Sequence, residues 1–106
     1  MLTDVTPAQL RSILAGNPDV WVYLHTPLCG TCQLARRMLQ LALAALAASG
    51  REVTVYACDI NGLAAEAAAW RITSVPCLAR FRAGAPAARM YAFLSVPDVY
   101  TFLTAP

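Results

Sequence analysis

The sequence contains no lysine, one histidine and few charges of either sign, with eight arginines against six acidic residues and 13% charged overall. Without lysine, Schiff-base chemistry and a lysine general base are excluded. The arginines are scattered and the net charge is only +2, so the electrostatic footprint of a nucleic-acid binder is missing. Long apolar runs are missing too. A membrane span needs about 18 consecutive apolar residues, whereas the longest stretch, Leu41 to Ala48, has eight. Neither nucleic acid nor a membrane is expected as a partner. The 58% apolar fraction is inflated by 21 alanines, which adds little hydrophobic surface. Residues Met1 to Pro7 carry no basic and apolar stretch of secretory type, from which a cytoplasmic address is expected.

At 106 residues the chain is one domain's worth of material, expected to be a single domain over 1–106. A domain of this size buries roughly two thirds of its unfolded surface and folds without disulfide or metal staples. Its four cysteines, Cys29, Cys32, Cys58 and Cys77, are therefore free for chemistry.

The elements alternate. Thr6-Pro7 reads as a helix cap with proline at the first helical position, opening a helix over about 7–15 that stops near Gly16. Val20 to His25, bounded by Asn-Pro-Asp and Thr-Pro, reads as a buried strand. Gly30 to Ser49 is a long helix with its apolar stripe at Leu34, Met38, Leu41, Ala45 and Ala48, closed by Gly50. Glu52 to Cys58 gives a second strand, and Asn61-Gly62 begins an alanine-rich helix ending near Trp70. Short connections make the two strands parallel, joined by a helical crossover. Cys77 to Arg82, an Ala83-to-Pro86 turn and Ala88 to Phe93 form an antiparallel hairpin, and Ser95 to Asp98 caps a last helix reaching about Leu103. Trp21 and Trp70 read as core or edge aromatics. The expected fold class is α/β, a four-stranded mixed sheet flanked by helices on both faces.

Cys29-Gly30-Thr31-Cys32 falls at a strand-to-helix junction, with Cys29 at or just before the helix N-terminus. Unpaired N–H groups and the positive end of the helix dipole stabilise a thiolate there, which lowers the pKa of a CxxC thiol from about 8.5 toward 7. The spacing lets Cys32 reach back and close a small disulfide, so the first thiol attacks and the second resolves. In a strand-helix-strand context this pair reads as redox chemistry ahead of metal binding or inert packing. A zinc ribbon would want a second CxxC, and none exists.

These residues, together with Cys58-Asp59-Ile60 ending a strand and Trp70-Arg71-Ile72-Thr73-Ser74-Val75-Pro76 before the hairpin, resemble the thioredoxin family over nearly the whole chain. The resemblance implies a thioredoxin-like fold and a cis peptide bond before Pro76, set against the two sulfurs. It further implies that the Val75 backbone pairs with an extended substrate segment, so that Leu28, Gly30, Thr31, Val75 and Pro76 line a groove for cysteine-containing polypeptides. Several positions depart from the family's pattern. Leu28 stands where the family has Trp, Thr31 where it has Pro, and Arg37 where it often has a kinking Pro. Its buried Asp, which accepts the resolving thiol's proton, is Tyr23 here, and that residue's Lys partner is Ala57.

The other polar and thiol side chains carry two readings each. His25, at a position where the family usually has Trp, reads as a general base or pH-sensitive partner of a thiolate, or as an edge-of-core imidazole bonded to backbone, the second being preferred. Arg36 and Arg37 read as a solvated helix face, the alternative being that Arg36 raises the local positive potential. Cys58 reads as a small buried hydrophobe. Cys77, next to Pro76, reads first as packing and second as a third redox thiol or a metal ligand.

The expected function is a monomeric thiol:disulfide oxidoreductase that reduces protein or small-molecule disulfides through Cys29 and Cys32. It would need no bound cofactor, and a reductase or low-molecular-weight thiol would recycle it. Two alternatives stand beside it: metal or iron-sulfur binding through Cys29, Cys32 and Cys77 or His25, and a redox-inert peptide-binding module.

Overall fold

The computed structural model describes residues 1–106. Its elements are β1 (Leu2–Asp4), α1 (Pro7–Gly16), β2 (Asp19–His25), α2 (Gly30–Ala48), β3 (Val55–Asp59), a 3-10 turn (Ile60–Leu63), α3 (Ala64–Ala69), β4 (Cys77–Arg82), β5 (Ala85–Met90) and α4 (Val96–Thr104). Five strands form one mixed sheet in the order β1-β3-β2-β4-β5. Strands β1, β3 and β2 run parallel, β4 is antiparallel to β2, and β5 is antiparallel to β4. No helix is long and apolar enough to cross a membrane.

Local chemistry explains the boundaries. The Thr6 hydroxyl accepts from the Gln9 amide N–H and the Gln9 side chain accepts from the Thr6 N–H, a reciprocal cap completed by Pro7 in the first turn. Ser95 accepts from the Asp98 N–H and opens α4 in the same manner. The hairpin turn has just two residues, Ala83 at φ 53° and Gly84 at φ 80°. Positive φ at both positions is the geometry that matches the twist of the flanking strands.

Period-two alternation along β2 builds a core on each face of the sheet. Val20, Val22 and Leu24 pack with Leu10, Leu63 and Phe81 on the α1/α3 face. Tyr23 faces the other way, into the layer of α2 and α4 with Leu39, Leu46, Val99 and Leu103. Trp21 stacks edge-on against Phe102 on the α2/α4 face, and Trp70 against Phe81 on the other.

Four expectations need correction. The sheet has five strands rather than four, because Leu2–Asp4 pairs with Val55–Ala57; a three-residue strand is too short to show a periodic pattern. The hairpin's second strand starts at Ala85 rather than Ala88, since the turn is tighter than Ala83-to-Pro86. The helix expected from Asn61 begins as a 3-10 turn, and only Ala64–Ala69 are α-helical. The stripe on α2 is out of phase as well. Its buried residues are Cys32, Ala35, Leu39, Ala42, Leu43 and Leu46, whereas Leu34 and Leu41 are 57% and 59% exposed. In a helix of leucines and alanines almost any phase yields an apolar stripe, so periodicity fixes the helix without fixing its inward face.

Candidate active site

Strand β2 delivers the chain to the carboxyl end of the parallel strands, and Thr26 to Leu28 turn it into α2. Cys29 caps that helix. Its Sγ accepts from the Cys32 N–H at 3.1 Å and lies 3.3 Å from the Thr31 hydroxyl. Both contacts, with the positive end of a 19-residue helix, place stabilising dipoles on the Cys29 sulfur. The two cysteines are joined as a disulfide with Cα atoms 5.1 Å apart. They differ in access, since Cys32 is 2% exposed while Cys29 is half-buried. An incoming sulfur therefore meets Cys29 first.

Around this pair lie the residues assigned to a substrate groove. Leu28 is 99% exposed, and Gly30 and Thr31 are exposed beside it. The Val75–Pro76 bond is cis and both residues are half-buried. Cys77 pairs with Leu24 across the sheet, so Pro76 lies at the end of the sheet where β2 runs into the disulfide turn.

Behind Cys32 is a pocket of about 210 Å³, lined by Tyr23, His25, Thr26, Pro27, Cys32, Gln33 and Arg36. Tyr23 is fully buried and its hydroxyl donates to the Cys32 carbonyl. Burial pushes its pKa up to about 12. His25 stacks on the Tyr23 ring at 5.6 Å, and Phe93 meets the same ring edge-on at 6.0 Å. Burial first, then the Arg36 charge, hold the His25 imidazole below its ordinary pKa, against opposing pulls from Asp4 and Asp59. Arg36 reaches β1, where both terminal nitrogens donate to the Asp4 carboxylate, one at 3.0 Å. The expectation of a solvated Arg36–Arg37 face is thus corrected in half, because Arg37 is exposed but Arg36 is tied to the sheet. That Asp4–Arg36 contact had no signal in the sequence, being built on the strand that periodicity missed.

The remaining thiols do not join the site. Cys58 and Cys77 lie 1% and 0% exposed in the α1/α3 core, flanking Leu24 on either side. Neighbouring strands are about 4.8 Å apart, so two strands of separation exceed disulfide reach. Burial raises both pKa values, that of Cys77 to about 11. Three or more His, Cys, Asp or Glu side chains nowhere come together in a group that could hold a metal ion. The donors named for the metal alternative are dispersed, with Cys29 and Cys32 joined to each other and Cys77 on the opposite face.

Comparison with known proteins agrees with this geometry. The family model Thioredoxin matches residues 2–103. Thioredoxin-like protein YusE of Bacillus subtilis (strain 168) is 41% identical over 86 residues, covering 80% of this chain and 77% of the relative. Oxidized mitochondrial thioredoxin 3 of Saccharomyces cerevisiae superposes with a TM-score of 0.71 at 14% identity, over 96% of this chain and 92% of that one. The zinc-bound form of human ERp44 superposes with a TM-score of 0.74 at 18% identity, over 97% of this chain, which spans only 30% of that protein's length. At such identities the two structures speak for the fold alone.

Proposed function

The chain belongs to the thioredoxin family, and on that premise we propose that it is a thiol:disulfide oxidoreductase working by reduction of protein or small-molecule disulfides. Its chemistry is of the thiol-disulfide kind, with the CxxC pair in the family's position. The reading rests above all on one observation, that Cys29 caps α2 with two donors on its sulfur while Cys32 is buried behind it.

In the reducing direction Cys29 thiolate attacks a substrate disulfide and expels one substrate thiolate, forming a mixed disulfide. Cys32 thiolate then attacks Cys29 Sγ, the bond between Cys29 and the substrate breaks, and the second substrate thiol leaves. Two electrons pass from the dithiol to the substrate, so no further cofactor is required. A reductase or low-molecular-weight thiol restores the dithiol. Exposed Leu28, Gly30 and Thr31 form one bank of the substrate groove, with the Val75 backbone and Pro76 as the other. The protein acts as a monomeric single domain in the cytoplasm.

The Cys32→Ser variant tests this by removing the resolving thiol. It should accumulate mixed disulfides through Cys29, visible as mass adducts that a reductant releases. A variant that traps nothing, together with a wild type that reduces no model disulfide, overturns the reading.

A further inference from the structure

Release of the reduced substrate requires Cys32 to be a thiolate, yet Cys32 is 2% exposed and begins that step as a thiol. A buried thiol does not ionise unaided, because desolvation disfavours the charged form. Something beside it must take the proton. Tyr23 is ill suited, since its hydroxyl already donates to the Cys32 carbonyl and holds its proton to about pH 12. No carboxylate lines the pocket behind Cys32, and Arg36, its one cation, accepts no proton. That leaves the chain's only histidine.

We propose that His25 is the proton acceptor for Cys32, working through the pocket that both residues line, in the step that frees the substrate. The inference rests on the oxidoreductase reading and deepens it. The imidazole is held in place by stacking on Tyr23 at 5.6 Å, and it and Cys32 line one pocket of about 210 Å³, large enough for a water to carry the proton. The charged groups facing it come from each packed element: Arg36 from α2, Asp4 from β1 and Asp59 from β3, its register partner. Burial first, and then the Arg36 charge, outweigh the two carboxylates and leave the imidazole neutral at pH 7 and able to accept. The step balances. The Cys32 S–H proton passes to a ring nitrogen of His25, the Cys32–Cys29 bond forms, the Cys29–substrate bond breaks, and the departing sulfur takes up the proton from the imidazolium or from water. In reverse, the imidazolium protonates Cys32 as the internal disulfide opens.

The test separates the two attacks. A chromogenic aromatic disulfide reacts with reduced protein in a stopped-flow mixer, the first thiol released reporting the Cys29 attack and the second reporting resolution by Cys32. In the wild type, resolution should be flat through neutral pH and fall only at acid pH, as His25 becomes protonated. In His25→Phe and His25→Gln, resolution at pH 7 should slow by about 100-fold and climb about tenfold per pH unit toward the thiol's own pKa. The first attack should change by less than about threefold, a split that misfolding would not produce. Unchanged resolution profiles in both variants overturn the proposal, as does an equal slowing of both attacks. A shifted profile in Tyr23→Phe with none in His25→Phe assigns the proton to Tyr23 and overturns it too. Absence of any first attack in the wild type instead brings down the oxidoreductase reading itself, and this proposal with it.

Discussion

Cys29 and Cys32 differ from Cys58 and Cys77 in little but surroundings, for all four lie toward the same end of the sheet. Cys29 has a helix N-terminus at its sulfur, a backbone N–H at 3.1 Å and solvent on one side. Cys77 has none of these. It sits at zero exposure against Leu24, and burial drives its pKa to about 11. One residue type thus stands both at the mouth of a helix, where the proposed nucleophile sits, and as a small apolar filler on the neighbouring strand. Reactivity follows access and thiolate stabilisation rather than the presence of a thiol.

The sharpest way to break this comparison is to exchange roles by mutation. Cys29→Ser should reduce disulfide reduction to the background rate. Cys58→Ala and Cys77→Ala should each stay within about twofold of wild type, since both thiols are buried in the α1/α3 core and neither joins the Cys29–Cys32 pair. An insulin-type turbidity assay reads both. Loss of activity in Cys77→Ala would make it a third redox thiol and dissolve the contrast.

A second, smaller effect sharpens the comparison from the other side. Cys77 and Cys58 fill core volume, so Cys77→Ala should cost about 1–2 kcal/mol in urea unfolding, the range for shortening a buried side chain by one heavy atom with little relaxation. In the reduced protein, Cys29→Ala should cost only about 0.5 kcal/mol, the low end for losing a helix cap, because its half-exposed side chain leaves no closed cavity. Equal costs at the two positions would mean that Cys77 is not packed as its burial implies.

This division was partly legible in advance. The strand-to-helix junction at Cys29, the parallel crossover and the hairpin all follow from local patterns, because caps, prolines and alternation act over a few residues. Cys77 could be read only as packing or as chemistry, since adjacency to Pro76 places it near the site while its side-chain direction depends on pairing with Leu24. The inward phase of α2 was hidden for a related reason. Leu34 and Leu39 are equally apolar, and only docking onto Tyr23 and Leu78 decides that Leu39 goes inside. The Asp4–Arg36 pair spans 32 residues and rests on a three-residue strand, so no window along the chain contains it. His25 carries two readings in the sequence, and its stacking on Tyr23 and its place in the pocket come into view only once the sheet is assembled; those contacts motivate the proton-acceptor proposal above.

The smallest effect is a pH slope, and its sign distinguishes the buried thiols from the active pair. In the oxidised protein only Cys58 and Cys77 titrate among the cysteines, because the other two are joined. Unfolded, the Cys77 thiol releases its proton near its ordinary value of 9.0, whereas folded it holds on to about 11. Between those values the folded state binds more protons, so its stability is complete below pH 9 and declines as pH rises toward 11. The decline is at most about 1.4 kcal/mol per pH unit for each buried thiol. Tyr23 adds a fall of the same sign, but only above its ordinary value of 10.0. Urea midpoints measured from about pH 8 to 10 should therefore drop in the wild type and drop less in Cys77→Ala, the Tyr23 contribution being common to both. A slope that survives in Cys77→Ala undiminished would mean that Cys77 ionises freely in the folded protein, and with that its buried, unreactive character would be lost.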